Sequence, residues 1–177
     1  MTIKSKQLFI IIGDDKTGKT TLQKLLISRL CGFDYDRLPV NKLFEITHPE
    51  IKRKHQSISF GNRSYQEKVS DYETIDKYFQ YHFQPADIAF ISSHLVLSDI
   101  QQMITHGKNM FYNVNGVFWT NSIINNEAAN SQISSLNWNE RFVISNPYSD
   151  NEQIIHRQLD QIVDSIVALI INRTSIS

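Results

Sequence analysis

The chain has 177 residues and carries 18 Lys and Arg against 18 Asp and Glu, so its formal net charge at pH 7 is zero. That length suits a single domain over 1–177 with one sizeable core, and the charge balance gives no reason to expect nucleic acid or an anionic membrane surface as a partner. The single cysteine, Cys31, excludes an internal disulfide framework and a cysteine-built metal cluster.

The opening Met-Thr-Ile-Lys-Ser-Lys has no signal-peptide pattern and no apolar run approaches a membrane span, so a cytoplasmic protein without a transmembrane segment is expected. Leu8-Phe9-Ile10-Ile11-Ile12 predicts a buried strand. Residues 13–20 then read Gly-Asp-Asp-Lys-Thr-Gly-Lys-Thr, a complete phosphate-binding P-loop. Leu22, Leu25, Leu26 and Leu30 follow at helical spacing, and Gly32 stops that helix just after Cys31. A strand, a turn and a helix are the setting this chemistry needs, because backbone N–H groups and the positive helix end then converge on phosphate. The expected nucleotide-binding set is Gly13, Asp14, Asp15, Lys16, Thr17, Gly18, Lys19, Thr20 and Thr21. Lys19 would bridge the β- and γ-phosphates, and the Thr20 hydroxyl would ligate Mg²⁺.

Residues 33–50, interrupted by Pro39 and Pro49, read as a long loop near the phosphates. The cluster Lys52-Arg53-Lys54-His55 fits a solvated strand or loop face. Residues 51–60, Gly61-Asn62 and residues 63–70 predict an antiparallel hairpin, with Asp71 at the end of its returning strand. A helix is expected through Tyr72, Ile75, Tyr78, Phe79 and His82, ending before Pro85. Residues 87–91 predict a short strand leading to Ser92-Ser93-His94, where His94 reads either as a substrate contact or as a hydrogen-bonded loop histidine. A helix near 98–106 stops at Gly107, and residues 110–119 give another buried strand, ending near Asn113 or Asn115. Residues 120–139 hold one charged residue, Glu127, and suit a helix. Residues 141–145 supply the last strand, and Ser149-x-x-Glu152 is a capping box opening a terminal helix. The sum is an alternating α/β chain with one antiparallel hairpin in a mainly parallel sheet.

This order resembles that of the small Ras-like GTPases: P-loop, helix, switch loop, antiparallel pair, acidic strand end, then three strand and helix units. The text F-I-I-I-G-D-D-K-T-G-K-T-T-L-Q-K-L-L is similar to that family's first motif, Asp14 and Thr20-Thr21 included. The resemblance implies a three-layer α/β/α P-loop domain of Ras-like order that binds GTP or ATP with Mg²⁺, acts as a switch, and answers to an effector or regulatory protein. It also implies Thr47 and Asp71 as further Mg²⁺ contacts, with an ordinary loop threonine the alternative for Thr47. Asn115 matches the asparagine of the base-reading N-K-x-D motif, and Ser145 the serine of S-A-K.

The departures from the pattern have chemical meaning. Asp71-Tyr72-Glu73-Thr74 keeps the aspartate of D-x-x-G and lacks the glycine, and Ile75 stands where a water-positioning glutamine is common. Asp15 replaces the usual glycine and brings a carboxylate to the γ-phosphate. Lys19 and Asp15 are therefore the residues expected to govern catalysis, and intrinsic hydrolysis is expected to be slow. Read as G-x-D-x-x-G-K-T-T, the loop also resembles that of thymidylate kinases, where an acidic group can contact the acceptor. Against a nucleoside or nucleotide kinase, residues 120–139 carry no Arg or Lys for a phosphoryl clamp. A non-hydrolysing nucleotide-binding module is the third reading.

Overall fold

The computed structural model describes residues 5–15 and 17–175, with side chains to Asn172. Among these residues six strands form one sheet, in the order β2-β3-β4-β1-β5-β6. Central β1 (Lys6–Ile12) pairs in parallel with β4 (Ile88–Ser93) on one side and β5 (Tyr112–Trp119) on the other. Beyond β5 lies parallel β6 (Glu140–Ile144), and beyond β4 lies parallel β3 (Ser57–Gly61). Only edge strand β2 (Lys42–Glu45) runs antiparallel, against β3.

Alternation along β1 sorts the core into two layers. Phe9 and Ile11 face α1 (Lys19–Cys31) and the terminal helix, whose Leu22, Leu26 and Leu30, and Val163 and Ile170, are buried there. Leu8, Ile10 and Ile12 face the opposite layer, built from residues 72–83 and α4 (Leu97–Asn109) through Tyr78, Ile100 and Met103. A strand covered on both faces by helices is the physical reason β1 reads as a continuous apolar run. Matched register also stacks Phe60, Phe90 and Phe9 across three strands, with ring centroids 5.3 and 4.7 Å apart. The architecture is thus α/β with three layers, a mainly parallel sheet and one antiparallel pair.

That pair is not the expected hairpin. Gly61 remains inside β3, paired with Ile91, and the partner strand comes from the segment read as a long loop, with Phe44 opposite Ile58. Residues 65–72 are helical instead, as a 3₁₀ turn (Tyr65–Lys68) running into α2 (Val69–Tyr72). Tyr65, Val69 and Tyr72 are spaced four and three apart, a helical rather than an alternating period. The helix expected through 72–82 is broken at Glu73, which has φ +60°, and restarts as α3 (Ile75–Lys77) with Thr74 Oγ1 accepting from the Lys77 N–H at 3.1 Å. A π turn (Tyr78–His82) completes it before Pro85.

On the β5 side, the strand continues to Trp119 rather than ending near Asn113 or Asn115, and α4 runs through Gly107 to Asn109. Residues 120–139 hold two helices, α5 (Thr120–Asn125) and α6 (Glu127–Ser134), divided at Asn126. The terminal helix α7 (Glu152–Ser175) begins where the capping box placed it, with different chemistry: the Asn151 Oδ1 accepts from the Gln153 N–H at 2.9 Å, and Ser149 Oγ accepts from the Asn151 N–H. Cys31 is buried at the end of α1, and the N–H of Gly32 closes that helix on the Ser28 carbonyl. No helix among the described residues is long and apolar enough to cross a membrane.

Candidate functional site

The parallel strands deliver their C-terminal ends to one rim, and the 13–18 loop lies there between β1 and α1. Its start is fixed to the neighbouring strand, the Gly13 N–H donating to the Ser93 carbonyl at 3.0 Å. Two glycines make the turn possible. A Cβ at Gly13 would come within 2.9 Å of the Thr17 side chain, and Gly18 has φ +101° at the N-cap of α1. The first helical bond is Leu22 N–H to the Gly18 carbonyl, so the N–H groups of Lys19, Thr20 and Thr21 have no partner inside the helix.

Side chains hold the turn. The Lys19 ammonium reaches back across it to donate to the carbonyls of Gly13 and Asp14, the latter at 2.8 Å, and Thr17 Oγ1 donates to the Asp14 carbonyl at 3.0 Å. Burial holds the Lys19 ammonium below its usual pKa, while the carboxylates of Glu67, Asp15 and Asp14 act in the opposite direction. A cavity of about 200 Å³ opens over this loop, walled by Lys19, the exposed Thr20, Thr21, Asp15 and Glu67. Lys16 lies outside the described residues.

Two carboxylates and an imidazole meet at the mouth. His94 Nε2 lies 3.3 Å from Glu67 Oε1 and 3.6 Å from Asp15 Oδ1. Gln66 ties the 3₁₀ turn to the end of β4: its Oε1 accepts from the His94 N–H, and its Nε2 donates to Ser93 Oγ and to Asp99 Oδ2 at 2.8 Å. All three potential ligand atoms lie within 4.8 Å of one another. His94 is therefore a hydrogen-bonded histidine at the rim, facing the loop.

Four expected contacts fall elsewhere. Thr47 sits at the opposite end of α1, its Oγ1 donating to the Leu30 carbonyl at 3.4 Å. The cause is the direction of β2, which starts at the rim and carries the chain about 13 Å away from it. Asp71 lies ten residues beyond β3, exposed on α2 and paired with Lys68 at 3.0 Å, because the segment before it is helix and not a returning strand. Asn115 is buried in the middle of β5 level with Phe9, its Nδ2 donating to Gln7 Oε1 at 3.1 Å. Ser145 is exposed and opens toward the groove between β6 and α7.

Residues that sequence reasoning passed over stand where these were sought. Asn146 is buried beside the loop: its Nδ2 donates to the Thr17 carbonyl at 3.4 Å, and its Oδ1 accepts from Thr120 Oγ1 and the Asn121 N–H. It adjoins the serine chosen by motif, so a one-residue shift in that match would have found it. Asn121, just past the true end of β5, borders a second cavity of about 440 Å³ with Asp14, Thr17, Asn126 and Tyr148. Its Oδ1 is buried without a partner among the described residues. Glu67 carried no signal, since its segment read as strand. No protein-family model matches the chain, and no curated protein matches it.

Proposed function

We propose that the chain is a Mg²⁺-dependent, nucleoside triphosphate-binding P-loop domain. One observation carries the reading: the sequence Gly-Asp-Asp-Lys-Thr-Gly-Lys-Thr forms the turn between a buried parallel strand and a helix N-terminus, with the Lys19 ammonium drawn over the turn. Phosphate oxygens would replace the loop carbonyls as acceptors for Lys19, with the free N–H groups of Lys19, Thr20 and Thr21 aimed at the same charge. The donors on the cavity wall suit a hard cation, since Thr20, Asp15 and Glu67 offer only oxygen. Mg²⁺ held by these groups would screen phosphate from the two carboxylates, which otherwise oppose its entry.

Hydrolysis by this site is slow in the proposed reading. Asp15 places negative charge where an attacking water would pass, and Ile75 is buried on α3 and cannot orient water. A threonine-driven switch through Thr47 loses its basis, because Thr47 docks at the far end of α1. The same holds for guanine selection through Asn115 and Ser145. The cavity lined by Asn121, Asn125 and Asn126 supports recognition of the base there instead, since side-chain amides both donate and accept. Calorimetry of the full chain with GTP and ATP, in Mg²⁺ and in EDTA, tests the proposal. Micromolar binding that Lys19→Ala abolishes is expected, and equal affinity in wild type and variant would overturn it.

A further inference from the structure

A third cavity, of about 240 Å³, lies on the other side of Lys19, between α1, residues 36–40 and the end of β3. It shares Lys19, Thr20 and Glu67 with the cavity over the loop, so the two are neighbouring compartments with one common wall. Its charge differs from that of its neighbour. Lys24, Arg37 and Arg63 join Lys19 against Asp36 and Glu67, four cations facing two carboxylates.

These cations are not consumed by internal pairs. Lys24 donates to the backbone carbonyl of Asp36, which neutralises no charge. The Arg63 guanidinium is 3.7 Å from Glu67, a partly exposed contact that leaves most of its five donors available. Arg37 has no hydrogen bond or ion pair among the described residues. Beside the charges stand apolar Leu38 and Val40, and Asn62, whose Nδ2 donates to the Leu38 carbonyl while its buried Oδ1 has no partner among the described residues. Two guanidinium groups beside an apolar wall match a small molecule with a phosphate at one end and an organic body at the other.

We infer that this cavity binds a phosphomonoester, seated next to the terminal phosphate of the triphosphate. Its position as a second-substrate site rests on the triphosphate reading above, whereas its chemistry rests on Arg37, Arg63 and Lys24 alone. A nucleoside monophosphate fits this description, because its phosphate can pair with the two guanidinium groups while its ring lies on the exposed Val40.

The test is calorimetric titration of the full chain, alone and saturated with Mg²⁺ and a non-hydrolysable triphosphate. The titrants are five nucleoside monophosphates, their unphosphorylated nucleosides and inorganic phosphate. At least one monophosphate is expected to bind while its nucleoside does not. Arg37→Ala with Arg63→Ala should weaken that binding about tenfold or more and leave triphosphate affinity unchanged. Arg37→Lys, which keeps the charge and the fold, should give an intermediate loss. A monophosphate that binds wild type and double variant equally, or a panel without any phosphate-dependent binder, overturns the inference. Arginine-dependent monophosphate binding in a wild type that takes no triphosphate would support the cavity and overturn the triphosphate reading instead.

Discussion

Helix α1 has a loop at each end, and the two behave differently. The loop before it is closed on itself by Lys19 and Thr17, tied to β4 through Gly13, and held by Asn146 from the loop after β6. The segment after it divides. Residues 36–40 fold back toward Lys19 and Thr20, whereas Thr47 and His48 return to the far end, where their N–H groups both donate to the Leu30 carbonyl. A helix of thirteen residues separates those ends by about 18 Å. Proximity to the 13–18 loop within one continuous segment is thus decided by where β2 begins, and not by distance along the chain.

The largest effect expected from this contrast is at the first loop. Lys19→Met should reduce triphosphate affinity by about a hundredfold or more, measured by calorimetry in Mg²⁺, because it removes a charge-assisted donor from a buried site. The same variant has a signature without ligand. Burial depresses the Lys19 pKa, so between that lowered value and the usual 10.5 the unfolded chain holds a proton the folded chain has released. Stability contributed by this group therefore rises with pH through that alkaline window, and is lowest below it. Denaturation of wild type and Lys19→Met from pH 8 to 10.5 should show the wild type gaining on the variant. A constant difference would mean that burial does not control this lysine.

Next in size is the metal dependence. Asp15→Asn should bring the affinities measured with and without Mg²⁺ closer together, by about tenfold, since one of the two carboxylates facing the phosphates is neutralised. An unchanged ratio would place the repulsion elsewhere. The divided segment can be tested directly by hydrogen exchange. Residues 36–40 should gain protection when triphosphate is bound, and residues 46–50 should not. Thr47→Ala should leave nucleotide affinity within twofold and cost about 0.5–1.5 kcal/mol of stability through its bond to Leu30. Equal protection along 33–50 would restore the single switch loop.

The smallest effect concerns Cys31 at the quiet end of α1. Burial pushes its thiol up to about 12, so the thiolate is scarce at pH 8. Alkylation should proceed only as fast as the helix end opens, and ligand at the opposite end should alter it little. Rapid labelling of the native protein would show that end to be open.

The parts of this architecture written locally were legible. The apolar run of β1, the helical spacing of α1 and the Gly-rich turn between them each depend on neighbours in sequence, and each lies where expected. The contacts that failed required a register. Phe44 and Ile58 pair only because β2 reverses, and no periodicity in residues 33–50 announces that reversal. Asn115 was chosen by motif, although its burial between Gln7 and Asn113 satisfies an amide in the middle of a strand. Glu67 faces His94 only because residues 65–68 form a 3₁₀ turn instead of a strand. Side chains that converge from the loops after β4 and β6 and from the 3₁₀ turn share no sequence neighbourhood, so a linear reading gives no sign of their meeting.

Trp119 gives the molecule an optical property. Its indole is fully buried and packs on Gly18, where an added Cβ would lie 3.7 Å from the ring, and its Nε1 has no partner among the described residues. Trp138 belongs to the opposite layer and donates to the Ile133 carbonyl at 2.8 Å. The two indoles therefore emit from separate surroundings, one against the turn and the other screened from it by the sheet. With Trp138→Phe, ultraviolet emission becomes a single-site signal from the seat of Gly18, and millisecond rearrangements of that turn can be followed in unlabelled protein.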